Sequence, residues 1–204
     1  MINKLSVLAA NQLLKHNAIS DDEKELYEYG IFILLSYLFY SFFTFTCGFA
    51  LKCIGSSIAF YFTFQTIRKF AGGYHALTET RCEILSMISI LVVIVLIRLS
   101  KTYDYQIALI IITALSAVCI FSLCPLDTKE KPLTKEEFKR FRRCSMFTLT
   151  IISAIIILSV TLRIKSILYP TCLSLILESI LLIAGKIKKL REKDAEKQSL
   201  RNIS

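Results

Sequence analysis

The sequence predicts an all-α fold: a polytopic membrane bundle of about six transmembrane helices, preceded by an amphipathic helix at the membrane interface. Three observations carry this expectation. Apolar residues fill 54% of the 204 positions and are gathered in blocks, with no Trp and only six Gly and three Pro. Four of the blocks are long enough to cross a hydrocarbon core of about 30 Å. The basic residues are dense in alternate links and sparse in the others.

Along the chain, Ile2, Leu5, Leu8, Ala9 and Leu13 fall on one helical face, with Asn3, Lys4, Asn11 and Lys15 elsewhere. The segment from Met1 to Ile19 is too weakly apolar for a signal peptide and reads as a helix lying on the inner membrane surface; its His16 has no partner in sequence. The acidic patch Asp21 to Glu25 is a solvated link to the first block, Gly30 to Leu51, which runs 22 residues without a charge. Its Tyr37, Tyr40 and Phe43 read as lipid-facing or packing residues. Two shorter runs follow, Ile54 to Ile67 and Ile84 to Ile97, with 14 residues each. As ideal helices they measure only about 21 Å, so they cross as short spans or form a re-entrant hairpin. Gln106 to Cys124 and Cys144 to Leu162 have 19 residues each, and Ser166 to Ile183 has 18 with one acid inside, Glu178. No repeat or low-complexity linker divides the chain, so residues 1–204 form a single domain.

Charge orients the bundle. With the N-terminus cytoplasmic and all six runs crossing, the inner segments hold 20 of the 25 Lys and Arg, and the outer links keep Lys52, Arg98, Lys101, Arg163 and Lys165. Both termini and the loop between the short runs then face the cytoplasm. The net charge of +9 is that of membrane-boundary residues that hold orientation and attract anionic lipid; no nucleic-acid module is visible.

Between the short runs lies "IRKFAGGYHALTETRCE", Ile67 to Glu83. Of the seven cysteines, Cys47, Cys119, Cys124, Cys144 and Cys172 read as small buried hydrophobes, and Cys53 as an edge residue within reach of pairing with Cys47. Their spacings give no zinc site, and nothing in the chain calls for a cofactor. Cys82 differs, because it lies in a polar loop seven residues after His75. On one straight helix that spacing separates two residues by about 10.5 Å, too far for a base to reach its nucleophile, so the chain must bend between them. "TRCE" matches a capping box with Thr80 as N-cap and Glu83 as N3, which predicts a helix from Arg81. Cys82 then sits at the positive end of that helix beside Arg81, the setting in which cysteine nucleophiles are activated. Gly72 and Gly73 let the backbone turn tightly just before His75.

These residues resemble the signature of the accessory gene regulator B (AgrB) family, bacterial membrane cysteine endopeptidases that process the precursor of a cyclic quorum-sensing peptide. The pattern R-x(4)-G-x-H-x(6)-C is matched by Arg68, Gly73, His75 and Cys82, and "CPLDTKEKP", Cys124 to Pro132, is similar to the family's charged inner loop. The resemblance covers essentially the whole chain. It implies that Cys82 is the nucleophile and His75 its base, and that the partners are an AgrD-like propeptide and membrane lipid, with a homodimer compatible. It also implies a bacterial cytoplasmic membrane location. Under it, Arg68 holds a substrate carboxylate or anchors at the headgroups, and Gly73 meets a backbone requirement or lends its amide to an oxyanion hole.

Three side chains are candidates to orient His75: Glu178, Glu79 and Gln65. Glu178 is an ionisable group inside a span, which marks function by default, and pairing with a Lys or Arg of another helix is its alternative. Glu79 and Gln65 read equally as solvated or helix-bonded groups. Two other functions fit parts of the sequence. A small peptide transporter explains the spans and Glu178 but not Cys82, and a non-catalytic adaptor explains the basic tail but not the glycines and His75.

Overall fold

The computed structural model describes residues 2–16, 18–74, 79–127 and 133–201; of Glu79 and of residues 193 and 195–201 the backbone alone is described. Among these residues the chain is helical, with no strand. The helices are α1 (Ile2–Lys15), α2 (Lys24–Ala50, after a 3-10 turn at Asp21–Glu23), α3 (Ile54–Ala71), α4 (Glu79–Leu99), α5 (Gln106–Leu123), α6 (Lys135–Thr161) and α7 (Lys165–Arg201). Five are long and apolar enough to cross a membrane: α2, α4, α5, α6 and the first 28 residues of α7. Their outward faces carry Leu34, Phe42, Ile88, Leu115 and Ile157 exposed, a surface that needs lipid to cover it.

Both short runs make longer helices than their apolar stretches suggest. α3 has 18 residues and α4 has 21, because polar residues at their ends continue the helical backbone. α3 is the one expected span outside the five, since Ser56, Ser57, Gln65, Arg68 and Lys69 dilute its apolar character; it packs among α2, α6 and α7. The predicted cap of α4 is corrected too. The helix starts at Glu79 and Thr80 lies inside it, so Thr80 is not the N-cap; Cys82 remains in the first turn. A capping box does form at Thr134, whose backbone N–H donates to Glu137 Oε2 at 2.9 Å while its Oγ1 accepts from the Glu137 N–H at 3.2 Å.

α1 forms as expected but buries a narrower stripe, Ile2, Ser6 and Ala10, against α2, leaving Leu5 and Leu8 exposed for lipid. α2 and α3 approach closely because Gly48 has no side chain: a Cβ there would collide with Ser57. All seven cysteines are free, so Cys47 and Cys53 are not joined; the Cys53 sulfur lies 3.8 Å from Ser57 Oγ instead.

α7 is the central helix. It packs on α3, α4, α5 and α6 and buries Leu168, Tyr169, Cys172, Leu175 and Leu182 almost completely. Pro170 lies inside it and has no N–H to give the Ser166 carbonyl one turn earlier. Ser56 Oγ of α3 donates to that carbonyl at 3.0 Å, and Ser174 Oγ donates to Phe60 O at 3.2 Å, so a backbone defect becomes part of the α3–α7 junction.

The links sort to two ends of the bundle, grouped as the charge pattern groups them. At one end Lys101 Nζ donates to Lys52 O at 2.6 Å, and Asp104 meets Lys165 at 2.7 Å and the Tyr169 hydroxyl at 3.0 Å. The hydrogen bond from Lys165 holds the Asp104 carboxyl below the usual carboxylate range. At the other end the α3–α4 turn, the start of the α5–α6 link and the polar extension of α7 meet.

Candidate functional site

The site begins where α3 ends. Gly72 closes that helix at φ 80° and Gly73 follows at φ 138°, conformations that L side chains rarely adopt. The turn is held from three directions. From its own helix, Arg68 folds back over it: Nη1 donates to Gly72 O at 2.6 Å and Nη2 to Tyr74 O at 2.9 Å. A Cβ on Gly73 would collide with Arg68 Nη1, so this glycine makes room for the guanidinium as well as for the turn. From the α5–α6 link, the Leu126 N–H donates to Ala71 O at 2.9 Å, and Leu126 O would lie 2.8 Å from a Cβ on Gly72. From α7, Leu181 O accepts the Tyr74 N–H at 3.0 Å.

Beneath the guanidinium lies Glu178, wholly buried. Its Oε1 stands 3.7 Å from Arg68 Nη1, an ion pair but too long for a hydrogen bond. Among the described residues neither Glu178 oxygen has a hydrogen-bond partner. The carboxylate therefore faces a cation whose donors are turned to the two carbonyls of the turn. Of the two sequence alternatives for Glu178, the structure contains the pairing with an Arg of another helix. Gln65 lies elsewhere, half-buried beside the Tyr61 hydroxyl on the face toward α2.

Cys82 is half-buried in the first turn of α4, on the side of α2, within electrostatic range of the Tyr40 hydroxyl. His75 lies outside the described residues, as does the Glu79 side chain. Among the described residues no three His, Cys, Asp or Glu side chains gather as metal ligands.

Three supports were not singled out from sequence. Gly185 of α7 is one: a Cβ there would stand 3.0 Å from Gly73 C and from Tyr74 N. A glycine inside a helix costs about 1 kcal/mol relative to Ala and asks for a packing reason, which was the available signal. Asp127 is another, tied to α7 by Lys189 Nζ, which donates to its carbonyl at 2.6 Å and lies 3.3 Å from its Oδ2. The third is Arg142 of α6, whose Nη1 donates to Cys124 O. These last two fasten the link that carries Leu126.

A membrane helical bundle that clamps a glycine turn ahead of a His, with a Cys opening the next helix, is the class that fold and site define. The sequence profile of the accessory gene regulator B family matches residues 6–182, and the chain belongs to that family. It is 29% identical over 168 residues to an AgrB-like protein of Clostridium perfringens strain SM101, covering 79% of this chain and 78% of that one. A second, AgrB-like protein 2 of C. perfringens strain 13, is 28% identical over 172 residues, covering 81% and 80%. No solved structure matches significantly. Family membership ties the chain to quorum-sensing peptide processing, with an AgrD-like propeptide as the implied partner.

Cys124 is a control for reactivity at this end of the bundle. It is 1% exposed, and burial pushes its thiol up to about 11, with a smaller push from the nearby Glu178 carboxylate. The thiolate is the reacting form, and at pH 8 only roughly a thousandth of this thiol carries it. Maleimide treatment of membranes at pH 8 followed by peptide mass mapping should leave Cys124 unmodified until the protein is unfolded. Modification at the rate of a free thiol would show that the Leu126 link does not close over it.

Proposed function

We propose that this protein is a membrane cysteine endopeptidase that removes the C-terminal tail of a signalling propeptide and passes the remaining acyl group to a ring-forming side chain. The observation that carries the reading is the pairing of a Cys in the first turn of α4 with a glycine turn clamped by Arg68 one residue before His75. A nucleophile and base seven residues apart require a bend; the glycine turn at Gly72 and Gly73 leads into His75, and Cys82 follows in the first turn of α4.

In the reaction, His75 takes the thiol proton as Cys82 Sγ attacks the scissile carbonyl, then returns it to the amine of the departing tail. The acyl group stays on sulfur as a thioester. A Cys thiol or Ser hydroxyl within the peptide attacks that carbonyl, forms a thiolactone or lactone, and releases Cys82 as the thiol. Water would hydrolyse the thioester instead, so a half-buried sulfur at the membrane boundary favours cyclisation. Both nitrogens of Arg68 that contact the turn are engaged with backbone, which favours a positioning role over capture of a substrate carboxylate. Gly73 is accounted for by its backbone and by the space it leaves for Arg68.

Cys82→Ala should abolish tail release while propeptide binding persists, and His75→Ala should lower turnover by about 100-fold or more. Cys119→Ala and Cys172→Ala should keep activity, at a packing cost of about 1 kcal/mol. A propeptide lacking its ring-forming residue should accumulate on Cys82 as a hydroxylamine-labile mass increment. Tail release by Cys82→Ala at the normal rate would overturn the enzymatic reading in favour of a transporter or adaptor.

The charge asymmetry supports a cytoplasmic site, since the end carrying the glycine turn also carries the strongly basic links. A Cys introduced at Ala76 should react with an impermeant maleimide only after cells are permeabilised. Ready labelling of intact cells would reverse the orientation.

A further inference from the structure

Given that endopeptidase reading, we propose that one face of α7 is a docking rail for the catalytic loop, with Glu178 and Gly185 as positioning residues that act on the chemistry through His75. Glu178, Leu181 and Gly185 are spaced by three and then four residues, which places them in line along two turns of helix. Each meets the glycine turn differently. Glu178 supplies the negative charge facing Arg68 Nη1 at 3.7 Å, Leu181 supplies a carbonyl to the Tyr74 N–H at 3.0 Å, and Gly185 supplies the absence of a side chain.

The fold of α7 does not ask for either residue. At position 185 Ala would serve the helix better than Gly, yet its Cβ would press on Gly73 C and Tyr74 N at 3.0 Å and on Leu126 Cδ2 at 2.5 Å. A wholly buried carboxylate whose oxygens accept no hydrogen bond among the described residues is a costly group in a span otherwise rich in Leu and Ile. Its described partner is the guanidinium that holds the Gly72 and Tyr74 carbonyls. The rail thus holds the Tyr74 N–H directly through Leu181 and its C=O by way of Arg68, which faces Glu178. His75 is the next residue in the chain. Lys188, one turn beyond the rail, sets its ammonium 5.9 Å from the Tyr74 ring centre. Gly185 also lies past the residues 6–182 that the family profile matches.

The test is the rate at which iodoacetamide alkylates Cys82 in the full-length protein in membranes, read by mass spectrometry of the Cys82 peptide, beside propeptide cleavage. Gly185→Ala and Glu178→Gln should each slow alkylation about 10-fold or more and lower kcat, with KM for the propeptide unchanged, because a small displacement of the base suffices. Glu178→Asp, which keeps the charge, should recover part of the rate. Combined with His75→Ala, neither change should slow alkylation beyond His75→Ala alone, a non-additivity that general loosening of the bundle would not produce. Parental alkylation in both single variants, or additive slowing in the double variants, would overturn the rail. If His75→Ala itself alkylated at the parental rate, the failure would lie in the Cys82–His75 pair beneath it.

Discussion

A single guanidinium organises the end of the bundle that carries the glycine turn. Arg68 donates to the carbonyls of Gly72 and Tyr74 while facing the buried carboxylate of Glu178, and the surrounding features follow from accommodating that arrangement. Two consecutive residues must adopt positive φ, so both are glycine. The second must also leave space for the guanidinium, and α7 must carry an acid within its span. The interaction has an asymmetric energetic character. Burying the pair gains little by itself, but removing one partner from such a pair costs about 3–5 kcal/mol, because the other is left uncompensated. A substitution at Arg68 therefore disturbs the turn and the central helix together.

The same logic explains why polar groups recur along α7, the most enclosed of the candidate spans. Where lipid surrounds a helix, an unsatisfied backbone or side-chain polar group has no water to turn to. Here they are matched across helices: Ser56 to the carbonyl freed by Pro170, Ser174 to Phe60, Ser179 to Ser116, and Leu181 to Tyr74. These contacts join α3 and α5 to α7 and carry the position of the central helix to the glycine turn. The lipid-facing helices α2 and α4 are less constrained. Cys82 lies on one of them, so the glycine turn and Cys82 are borne by separately supported elements.

Much of this architecture was legible in the sequence. Blocks of uncharged residues marked the helices, and the alternation of basic density grouped the links into the two ends that the structure contains. The motif from Arg68 to Cys82 pointed to the family to which the chain belongs. Less legible were features that depend on contacts between distant segments. The extent of α3 and α4 was underestimated because apolar runs measure what lipid can cover, whereas polar residues such as Thr80 and Arg68 can continue a helix. The "TRCE" string has the composition of a cap, but a cap also requires a non-helical residue at its Thr. The contacts of Arg68 with the Gly72 and Tyr74 carbonyls had no signal in the sequence, because main-chain carbonyls are presented by any sequence. Gly185 and Asp127 had no local pattern pointing to the turn; only the packing of α7 beside it gives them a role.

The central claim is that the turn before His75 is docked on α7 through backbone and not merely tethered at the end of α3. The Tyr74 amide reports on this most directly, since its N–H is committed to Leu181 O at 3.0 Å. Hydrogen exchange of that amide, followed by NMR or fragment mass spectrometry on the full-length protein in nanodiscs, should be slower than for an unstructured peptide by about 100-fold or more. Exchange at the rate of an open loop would mean that the turn is not held on α7, and would contradict the account.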